Sequence, residues 1–496
     1  MQGAAAGLAV HGIGMGDRVL VHSRNSTAML ETMWAAWMIG AVWVPTNFRL
    51  TPPEVAYLAS SSGAAAHIFD PAFPDHADAA RAANPSMRLE VALDHGAAGR
   101  AGGTGTAPSP QPPPAGGGGV VGWDELASQT PLTRPADVDR DDPAWFFYTS
   151  GTTGRPKAAV LTHGQLQFVV NNHLADLIPG TTERDVSLVV APLSHGAGVH
   201  ALIQVPRGAA SVLLSGDRLD CEEAWRLVEQ HRVSNIFTVP TILTMLTRHD
   251  AVDRYDHTSL RYVIYAGSPM YRADQRHSLA KLGNVLVQYY GMGEVTGAIT
   301  VLPPAMHSLD DAAMPVGSCG YPRTGMDIAI FGAEGQRLPD GETGEICVRG
   351  PAVLARYHDN AEATANAFAG GWFHTGDLGH IDERGFVFIT GRASDMYISG
   401  GSNVYPREIE EALLTHPAVT EACVVGMPHP KWGECGVAVL VTTAPVAEAE
   451  LLSRLEGRLA RYKWPARFVS WPELPKSGYG KVEKRAVKRR LQDADG

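Results

Sequence analysis

Short apolar runs alternate with helical segments near the start of the sequence, and this alternation restricts the fold more than any other feature. The run RVLVHS (18–23) predicts a buried strand. Asn25 and Ser26 offer an N-cap for the helix TAMLETMWAAWMI, and Gly40 ends that helix before a second strand, AVWVP. TPPEVAYLASSS and AAAHIFD repeat the pattern. Because such alternation is typical of parallel sheets covered by helices, we predict an α/β fold with doubly wound sheets.

The later sequence predicts two further units. Strand and helix patterns alternate again from Trp145 to about Phe331, and the runs DIAIFG, GEICVRG and FVFITG then predict a β-rich subdomain. After Gly391 the segments EIEEALLTHPAV, ACVVGMP, VAVLVT and EAELLSRLEGRLARY predict a return to β-α-β order. A chain of 496 residues exceeds one typical domain. We therefore predict a large N-terminal domain (1–392) and a small α+β C-terminal domain (393–496).

One segment is unlike the rest in composition. Residues 94–119 read DHGAAGRAGGTGTAPSPQPPPAGGGG and consist almost entirely of glycine, proline, alanine and small polar residues. Such a segment cannot bury enough apolar surface to offset the entropy of ordering it. We expect a flexible surface insertion in the N-terminal domain.

Charge, cysteines and apolar runs exclude several classes of protein. A net charge of −11 argues against non-specific nucleic-acid binding, and five scattered cysteines without a C-x-x-C pair predict neither a disulfide framework nor a zinc site. The longest apolar run (33–44) is too short to span a bilayer, and the N-terminus lacks the basic start of a signal peptide. We expect a cytoplasmic monomer or homodimer with no integral membrane segment and no nucleic-acid partner.

One loop combines glycines, hydroxyls and cations. Residues 148–157 read YTSGTTGRPK and lie between the apolar runs AWFF and AAVL. Backbone N–H groups of a glycine-rich turn can surround phosphate oxygens, while hydroxyls add donors and a lysine adds charge. The loop is not a Walker A motif, because Arg155 and Pro156 separate Gly154 from Lys157. On chemistry alone, a polar turn and a phosphate-binding loop both stay open.

Further segments follow this loop in a fixed order: YYGMGE (289–294), HTGDLG (374–379), GRASDMYISGGSNVYPREIE (391–410) and PKSGYGK (475–481). Together with YTSGTTGRPKAAVLTHG they resemble the motifs of the adenylate-forming superfamily. That superfamily contains acyl- and aryl-CoA synthetases, luciferase-like enzymes and the adenylation domains of peptide synthetases. The resemblance extends from GDRV (16–19) to Lys481 and so covers most of the chain.

The resemblance implies a reaction in two halves. A carboxylate first attacks the α-phosphorus of ATP and expels pyrophosphate, and a thiol then attacks the acyl-adenylate and expels AMP. The implied cofactors are ATP, Mg²⁺ and coenzyme A, and the implied partner is a fatty or aromatic acid. Because an anion must approach a polyanion, catalysis depends on charge neutralisation and positioning.

The resemblance also assigns nucleotide contacts. The residues implied to touch phosphate or adenine are Thr149, Ser150, Gly151, Thr152, Thr153, Gly154, Lys157, Gly267, Ser268, Pro269, Tyr289, Tyr290 and Gly291. Tyr290 is expected to stack on adenine. Asp377 is expected to accept hydrogen bonds from the ribose hydroxyls, and Arg392 to add a ribose or phosphate contact.

Three catalytic residues and a coenzyme A site follow in the same way. Glu294 is implied to hold Mg²⁺, His195 to line the acyl pocket, and Lys481 to bridge the acid and the α-phosphate as a point charge. The implied coenzyme A contacts are Gly400, Gly401 and Trp432. In the superfamily the C-terminal domain rotates between the two half-reactions, and Ser394 occupies the implied hinge.

The sequence departs from the family pattern at three places. Gly293 stands where the pattern has threonine, and Ser394 stands where the hinge is usually aspartate or lysine. The first motif, GMGDRV, begins at residue 14, whereas relatives generally carry further residues before it, including a strand and a helix. The first departure removes a hydroxyl donor to the phosphate. We expect the second to preserve the domain motion with a changed balance between conformers, and the third to affect stability more than chemistry.

Three functions stay open at this stage. The leading one is an AMP-forming acid–CoA ligase. The second is an acyl-AMP ligase that loads a carrier protein, and the third is a non-catalytic nucleotide-binding relic. An α/β hydrolase is excluded, because the sequence has no G-x-S-x-G motif.

Overall fold

The computed structural model of the protein describes residues 1–93, 119–149, 155–268, 270–476 and 482–495. The insertion predicted at 94–119 lies outside the described residues except for Gly119. The elements of the first part of the chain are α1 (Gln2–Val10), β1 (Arg18–His22), α2 (Thr27–Met38), β2 (Val42–Thr46), α3 (Pro52–Ser62), β3 (Ala66–Phe69), α4 (Pro74–Ala83), β4 (Leu89–Ala92), β5 (Val121–Gly122), α5 (Trp123–Ala127), β6 (Pro143–Thr149), β7 (Lys157–Thr162) and α6 (His163–Asp176).

The middle of the chain contains β8 (Val186–Val189), α7 (Gly196–Gln204), β9 (Ala210–Leu213), α8 (Cys221–His231), β10 (Asn235–Thr238), α9 (Pro240–Arg248), β11 (Tyr262–Tyr265), α10 (Arg272–Leu282), β12 (Leu286–Gln288), β13 (Thr300–Val301) and β14 (Tyr321–Pro322). A mostly β segment follows with β15 (Asp327–Phe331), β16 (Gly344–Arg349), β17 (Arg356–Tyr357), α11 (Ala361–Ala367), β18 (Phe373–Ile381) and β19 (Val387–Arg392). The last elements are β20 (Tyr397–Ser399), β21 (Ser402–Val404), α12 (Pro406–Leu413), β22 (Val419–His429), β23 (Gly433–Thr442), α13 (Glu448–Leu455), β24 (Arg467–Ser470) and α14 (Lys484–Asp495).

The strands of the described residues form four larger sheets and one two-stranded pair. The first has the order β17-β7-β6-β2-β1-β3-β4-β5 and is parallel from β6 to β5, while the second has the order β12-β11-β10-β8-β9 and is parallel throughout. The third, β15-β16-β18-β19, is antiparallel. The fourth joins β21, β20, β23 and β22, with β24 beside β23. The predicted α/β fold with a β-rich subdomain and an α+β C-terminal part is confirmed.

Local sequence signals explain where the first elements end. The Ser26 hydroxyl accepts a hydrogen bond from the Met29 N–H, so it caps α2 as predicted. Gly40 has a φ of 71°, a left-handed conformation that glycine adopts without a steric penalty. The chain therefore turns there from α2 into β2, in agreement with the sequence analysis.

The helix α1 was not predicted. Its apolar residues Ala4, Ala5 and Leu8 are fully buried, and it packs against α2 and α5. Gly7 lies so close to Leu126 that a side chain there would collide with the Leu126 backbone. A short helix that is apolar on every side carries no periodic pattern, so periodicity could not reveal it.

One further prediction needs correction. The helix predicted through EAELLSRLEGRLARY ends at Leu455, because Gly457 adopts a φ of 72° and interrupts it. The predicted β-α-β order is present as β21, α12 and β22, and ACVVGMP and VAVLVT form the antiparallel pair of β22 and β23. The strand β18, which contains the HTGDLG motif, was not predicted as a strand.

Two features bear on the environment of the protein. Within the described residues, no helix is long enough and apolar enough to cross a bilayer. The five cysteines are free thiols.

Candidate active site

Two antiparallel strands carry the ends of the glycine-rich loop. β6 ends at Thr149 and β7 begins at Lys157, and these residues face each other in the strand register. Directly opposed residues project from the same face of a sheet, so the threonine and the lysine point the same way. The predicted phosphate contacts between them lie outside the described residues; they are Ser150, Gly151, Thr152, Thr153 and Gly154.

Glu294 lies next to Thr149 at the base of this loop, in the short turn Gly293–Val295, and is only 6% exposed. The Thr149 hydroxyl donates to Oε1 over 2.6 Å, and the Tyr357 hydroxyl donates to the same oxygen over 3.2 Å. Among the described residues, both hydroxyls donate to Glu294 Oε1. Glu294 Oε2 is therefore available to another partner. Mg²⁺ takes carboxylate oxygens of this kind, so Glu294 fits the magnesium role that the sequence predicted.

Tyr357 is a site residue that sequence reasoning missed. It lies on β17, opposite Ala159 of β7, and its ring centroid is 5.4 Å from Lys157 Nζ. Burial, together with the charge of Glu294, raises the pKa of the Tyr357 hydroxyl. The hydroxyl therefore keeps its proton and acts as a donor. Tyr357 lies outside the motif segments quoted in the sequence analysis, and the pairing of β17 with β7 places it at the site.

Asp377 is held by two side chains from distant parts of the chain. The Tyr290 hydroxyl donates to Oδ2 over 2.6 Å, and Arg392 Nε donates to Oδ1 over 3.0 Å. Asp377 and Arg392 are opposed on β18 and β19, whereas Tyr290 follows β12. Burial and the charge of Asp377 raise the pKa of Tyr290 well above its ordinary value, so Tyr290 also stays a donor.

This arrangement leaves Asp377 able to bind a diol. Each carboxylate oxygen can accept about two hydrogen bonds, so one acceptor position on each oxygen remains after the Tyr290 and Arg392 contacts. Asp377 is 5% exposed, which keeps competing water away. The carboxylate thus fits the predicted contact with two ribose hydroxyls, and Tyr290 holds it in place, a contact that the sequence did not predict.

The two carboxylates belong to one electrostatic region. The charge of Asp377 raises the pKa of Arg392, and the charge of Glu294 acts on it in the same direction. Arg392 is 54% exposed at its side chain, so it has surface available to a ligand while it holds Asp377.

The ring of Phe147 explains the unexpected glycine at position 293. A Cβ atom on Gly293 would come within 2.5 Å of the Phe147 ring and 2.9 Å of the Thr149 methyl group. The Phe147 ring also contacts His195, with ring centroids 4.5 Å apart. The threonine of the family pattern therefore has no space here, and Phe147 connects the Glu294 turn to the predicted acyl pocket.

The carboxyl ends of parallel strands gather the remaining predicted residues. His195 follows β8, Gly267 and Ser268 follow β11, and Tyr289 follows β12. In open α/β sheets ligands bind at this edge. Pro269 lies outside the described residues.

Tyr289 and Gly291 have packing roles at this edge. The Tyr289 side chain is 8% exposed and stacks on Phe237 with centroids 6.1 Å apart, so it belongs to the core. A Cβ atom on Gly291 would overlap the backbone of Gly297. The glycine is thus required for close approach of two backbone segments next to Tyr290.

The predicted coenzyme A residues lie together. Gly400 and Gly401 form the two-residue turn between β20 and β21, with φ values of 57° and 83°. Two positive values of φ in a two-residue hairpin loop favour glycine. The Gly400 N–H donates to the carbonyl of Trp432 over 2.9 Å, and the Trp432 side chain is exposed.

The predicted hinge lies where one sheet ends and the next begins. β19 ends at Arg392 and β20 begins at Tyr397, with exposed Ser394 in the turn between them. The predicted catalytic residue Lys481 lies outside the described residues.

Two family models match most of the chain. The model for the AMP-binding enzyme family matches residues 2–358, and the model for the AMP-binding enzyme C-terminal domain matches residues 408–481. The protein belongs to the AMP-binding enzyme family. Asp377 and Arg392 lie between the two matched ranges, so their assignment in this AMP-binding enzyme rests on the motif and the contacts above.

Individual relatives cover nearly the whole chain. A feruloyl-CoA synthase of Amycolatopsis is 36% identical over 98% of this chain and 91% of its own length. The fatty acid–[acyl-carrier-protein] ligase ScoC of Streptomyces coeruleorubidus is 32% identical over 98% and 89%. Among solved structures, o-succinylbenzoate coenzyme A synthetase of Bacillus subtilis in complex with ATP and magnesium ion has a TM-score of 0.81 at 28% identity, over 99% of this chain and 92% of its own.

Proposed function

We propose that this AMP-binding enzyme is an AMP-forming acid–CoA ligase. It converts a carboxylic acid and ATP to an acyl-adenylate and pyrophosphate, and then transfers the acyl group to coenzyme A with release of AMP. The observation that supports this most is the pair of buried carboxylates, Glu294 and Asp377, each fixed by tyrosine and further donors within one electrostatic region. Glu294 fits a contact with the metal ion on the triphosphate, and Asp377 fits a contact with the ribose.

In the first half-reaction the acid oxygen attacks the α-phosphorus and the bond to pyrophosphate breaks. Bound Mg²⁺ supplies charge neutralisation on the phosphates. Thr149 and Tyr357 orient Glu294 by hydrogen bonds to a single oxygen, and Lys157 adds positive charge at the loop base. Asp377 orients the ribose, and Lys481 approaches the attacking carboxylate and the α-phosphate.

We propose that the acid is aromatic. Phe147 and His195 place two rings 4.5 Å apart beside the Glu294 turn, and Phe237 stacks on Tyr289 behind them. Gly196 packs directly against Phe237, because a Cβ atom there would approach the ring to 2.6 Å. Aromatic side chains at this position favour a planar substrate, and the similarity to a feruloyl-CoA synthase supports the same class.

A panel of benzoates, cinnamates and C4–C16 fatty acids tests the proposal through CoA-dependent AMP formation. We expect kcat/KM for the best aromatic acid to exceed that for the best fatty acid by about tenfold or more. A preference for fatty acids would contradict the aromatic assignment alone. Absence of AMP with every acid would contradict the ligase itself.

Loading of a carrier protein is the alternative function, favoured by the similarity to ScoC. The exposed Trp432 next to the Gly400–Gly401 turn favours coenzyme A, because an exposed indole can stack on a nucleotide base. Pyrophosphate release that needs only the acid, with acyl transfer to a carrier protein and none to coenzyme A, would establish the alternative.

We also propose that the domains meet at residues 392 and 393 and that the C-terminal domain rotates about Ser394. The Ser394→Pro variant should keep its rate of adenylate formation and lose about tenfold in thioester formation, because proline fixes φ and restricts the preceding residue. Single-turnover measurements of the two half-reactions provide the test, with Ser394→Ala as the matched control. Equal losses in both half-reactions would contradict a hinge at this position.

The free cysteines are compatible with the cytoplasmic location that we propose. We propose a monomer or homodimer, which sedimentation analysis would distinguish.

A further inference from the structure

The strands β16 and β18 bring a glutamate, a cysteine and a histidine together. Cys347 and His374 are directly opposed in the register of these strands, and Glu345 precedes Cys347 by two residues. Cys347 Sγ lies 3.4 Å from His374 Nδ1, and Glu345 Oε2 lies 2.8 Å from the same nitrogen. The three possible ligand atoms all lie within 4.8 Å of one another. We propose that Glu345, Cys347 and His374 bind a divalent transition-metal ion of the zinc class.

One of two ligand separations matches tetrahedral zinc, and the other comes within about half an ångström of it. From ordinary Zn–N, Zn–S and Zn–O bond lengths, the nitrogen and sulfur ligands are roughly 3.5 Å apart and the nitrogen and oxygen ligands roughly 3.3 Å apart. The Sγ–Nδ1 separation of 3.4 Å agrees with the first value. The Nδ1–Oε2 separation of 2.8 Å must open by about half an ångström, which a small rotation of the glutamate side chain provides.

Groups outside the triad orient two of the ligands. His374 Nε2 lies 3.2 Å from the Ala369 carbonyl, so an Nε2–H donated there leaves the Nδ1 lone pair directed at Cys347 and Glu345. The Gly376 N–H donates to Glu345 Oε1 over 3.0 Å and leaves Oε2 directed at the histidine. Metal-binding histidines and carboxylates ordinarily have such supporting hydrogen bonds.

The ligand set selects against the magnesium of the nucleotide site. Thiolate and imidazole suit zinc and its neighbours, whereas Mg²⁺ takes oxygen ligands. Three protein ligands leave a fourth position for water. The side chains of Glu345 and His374 are 30% and 27% exposed, so an ion and a water molecule can reach them from solvent.

The position of the triad connects it to the ribose carboxylate. Gly376, which donates to Glu345, immediately precedes Asp377 on β18.

Cys347 and His374 are 27 residues apart in the sequence, so spacing motifs could not reveal the site. The absence of a C-x-x-C pair concerns cysteines close along the chain, whereas the proposed site joins residues that strand pairing brings together.

Metal titration of the full-length protein tests the proposal. The protein is treated with EDTA, exchanged into chelator-free buffer and titrated with zinc chloride in a calorimeter, and cobalt chloride is added to a second sample for absorption spectroscopy. We expect close to one zinc ion per chain and a cobalt spectrum with a thiolate charge-transfer band. Cys347→Ser should remove that band, and His374→Gln should weaken zinc binding by at least about tenfold.

The variant Cys423→Ser is the matched control, because Cys423 is also a buried cysteine but lies on β22 outside the triad. It should bind zinc and cobalt like the original protein. Circular dichroism in EDTA establishes that each variant is folded. Should Cys347→Ser fail to fold, the cobalt spectrum and a zinc-dependent rise in Tm of the unaltered protein still decide the question.

Absence of the charge-transfer band in the unaltered protein, or zinc affinity unchanged in folded Cys347→Ser, would overturn the proposal. AMP formation assayed with Mg²⁺ is a separate measurement, so failure of the zinc site and failure of the ligase function are distinguishable.

Discussion

Adenylate formation by the Lys481→Ala variant is expected to fall by at least about 100-fold. Its rate of thioester formation from a supplied acyl-adenylate should stay within about threefold, because the lysine acts as a point charge only while two anions approach each other. Rapid-quench measurement of acyl-adenylate from acid and ATP gives the first rate. Measurement of acyl-CoA from synthetic adenylate gives the second.

The chain around this lysine is anchored on both sides. Lys476 and Val482 form an antiparallel bridge, and Lys484 donates to Glu410 Oε1 over 2.8 Å. A nearby cation therefore cannot easily take the place of Lys481. The control is Lys488→Ala on α14, which removes a partly exposed lysine from the same domain and should leave both rates unchanged.

Two outcomes would contradict the proposed role of Lys481. An undiminished rate of adenylate formation would show that the charge is not needed. Equal losses in the two half-reactions would point to a general structural defect instead of a contribution to the first half.

The second large effect is expected from Glu294→Gln. The amide keeps the shape of the side chain, and its oxygen can still accept the Thr149 and Tyr357 hydrogen bonds. The substitution removes the negative charge that, in our proposal, binds Mg²⁺. We expect kcat/KM for ATP to fall by about 100-fold and half-maximal activity to require more Mg²⁺.

Initial rates over a matrix of ATP and magnesium concentrations measure both changes. Glu334→Gln, an exposed glutamate in the turn after β15, is the matched control for loss of one negative charge. Thermal unfolding establishes that the variant is folded. An unchanged magnesium requirement in a folded Glu294→Gln variant would remove Glu294 from the metal role.

Much of the fold was predictable because its signals are local. The cap at Ser26, the turn at Gly40 and the alternating apolar runs each depend on residues within one or two turns of the chain. The same locality explains the errors. α1 has no polar face, and Gly457 ends α13 where the apolar pattern continues.

The candidate site was predicted as a set of motifs, and its contacts were not. The motifs named Glu294, Asp377 and Arg392 but gave no indication that Tyr290 donates to Asp377. They gave no indication either that Tyr357 donates to Glu294. Each of these contacts joins residues more than 60 positions apart, since their separations are 87 and 63.

The sequence by itself determined the order of strands and helices, the family resemblance and the chemical types of the site residues. Only the tertiary structure decided that Phe147 takes the space of a side chain at Gly293, and that Glu345, Cys347 and His374 meet. The physical reason is the range of the forces involved. Backbone preferences and apolar periodicity act between near neighbours, whereas steric exclusion and strand register act between residues that only the completed fold brings into contact.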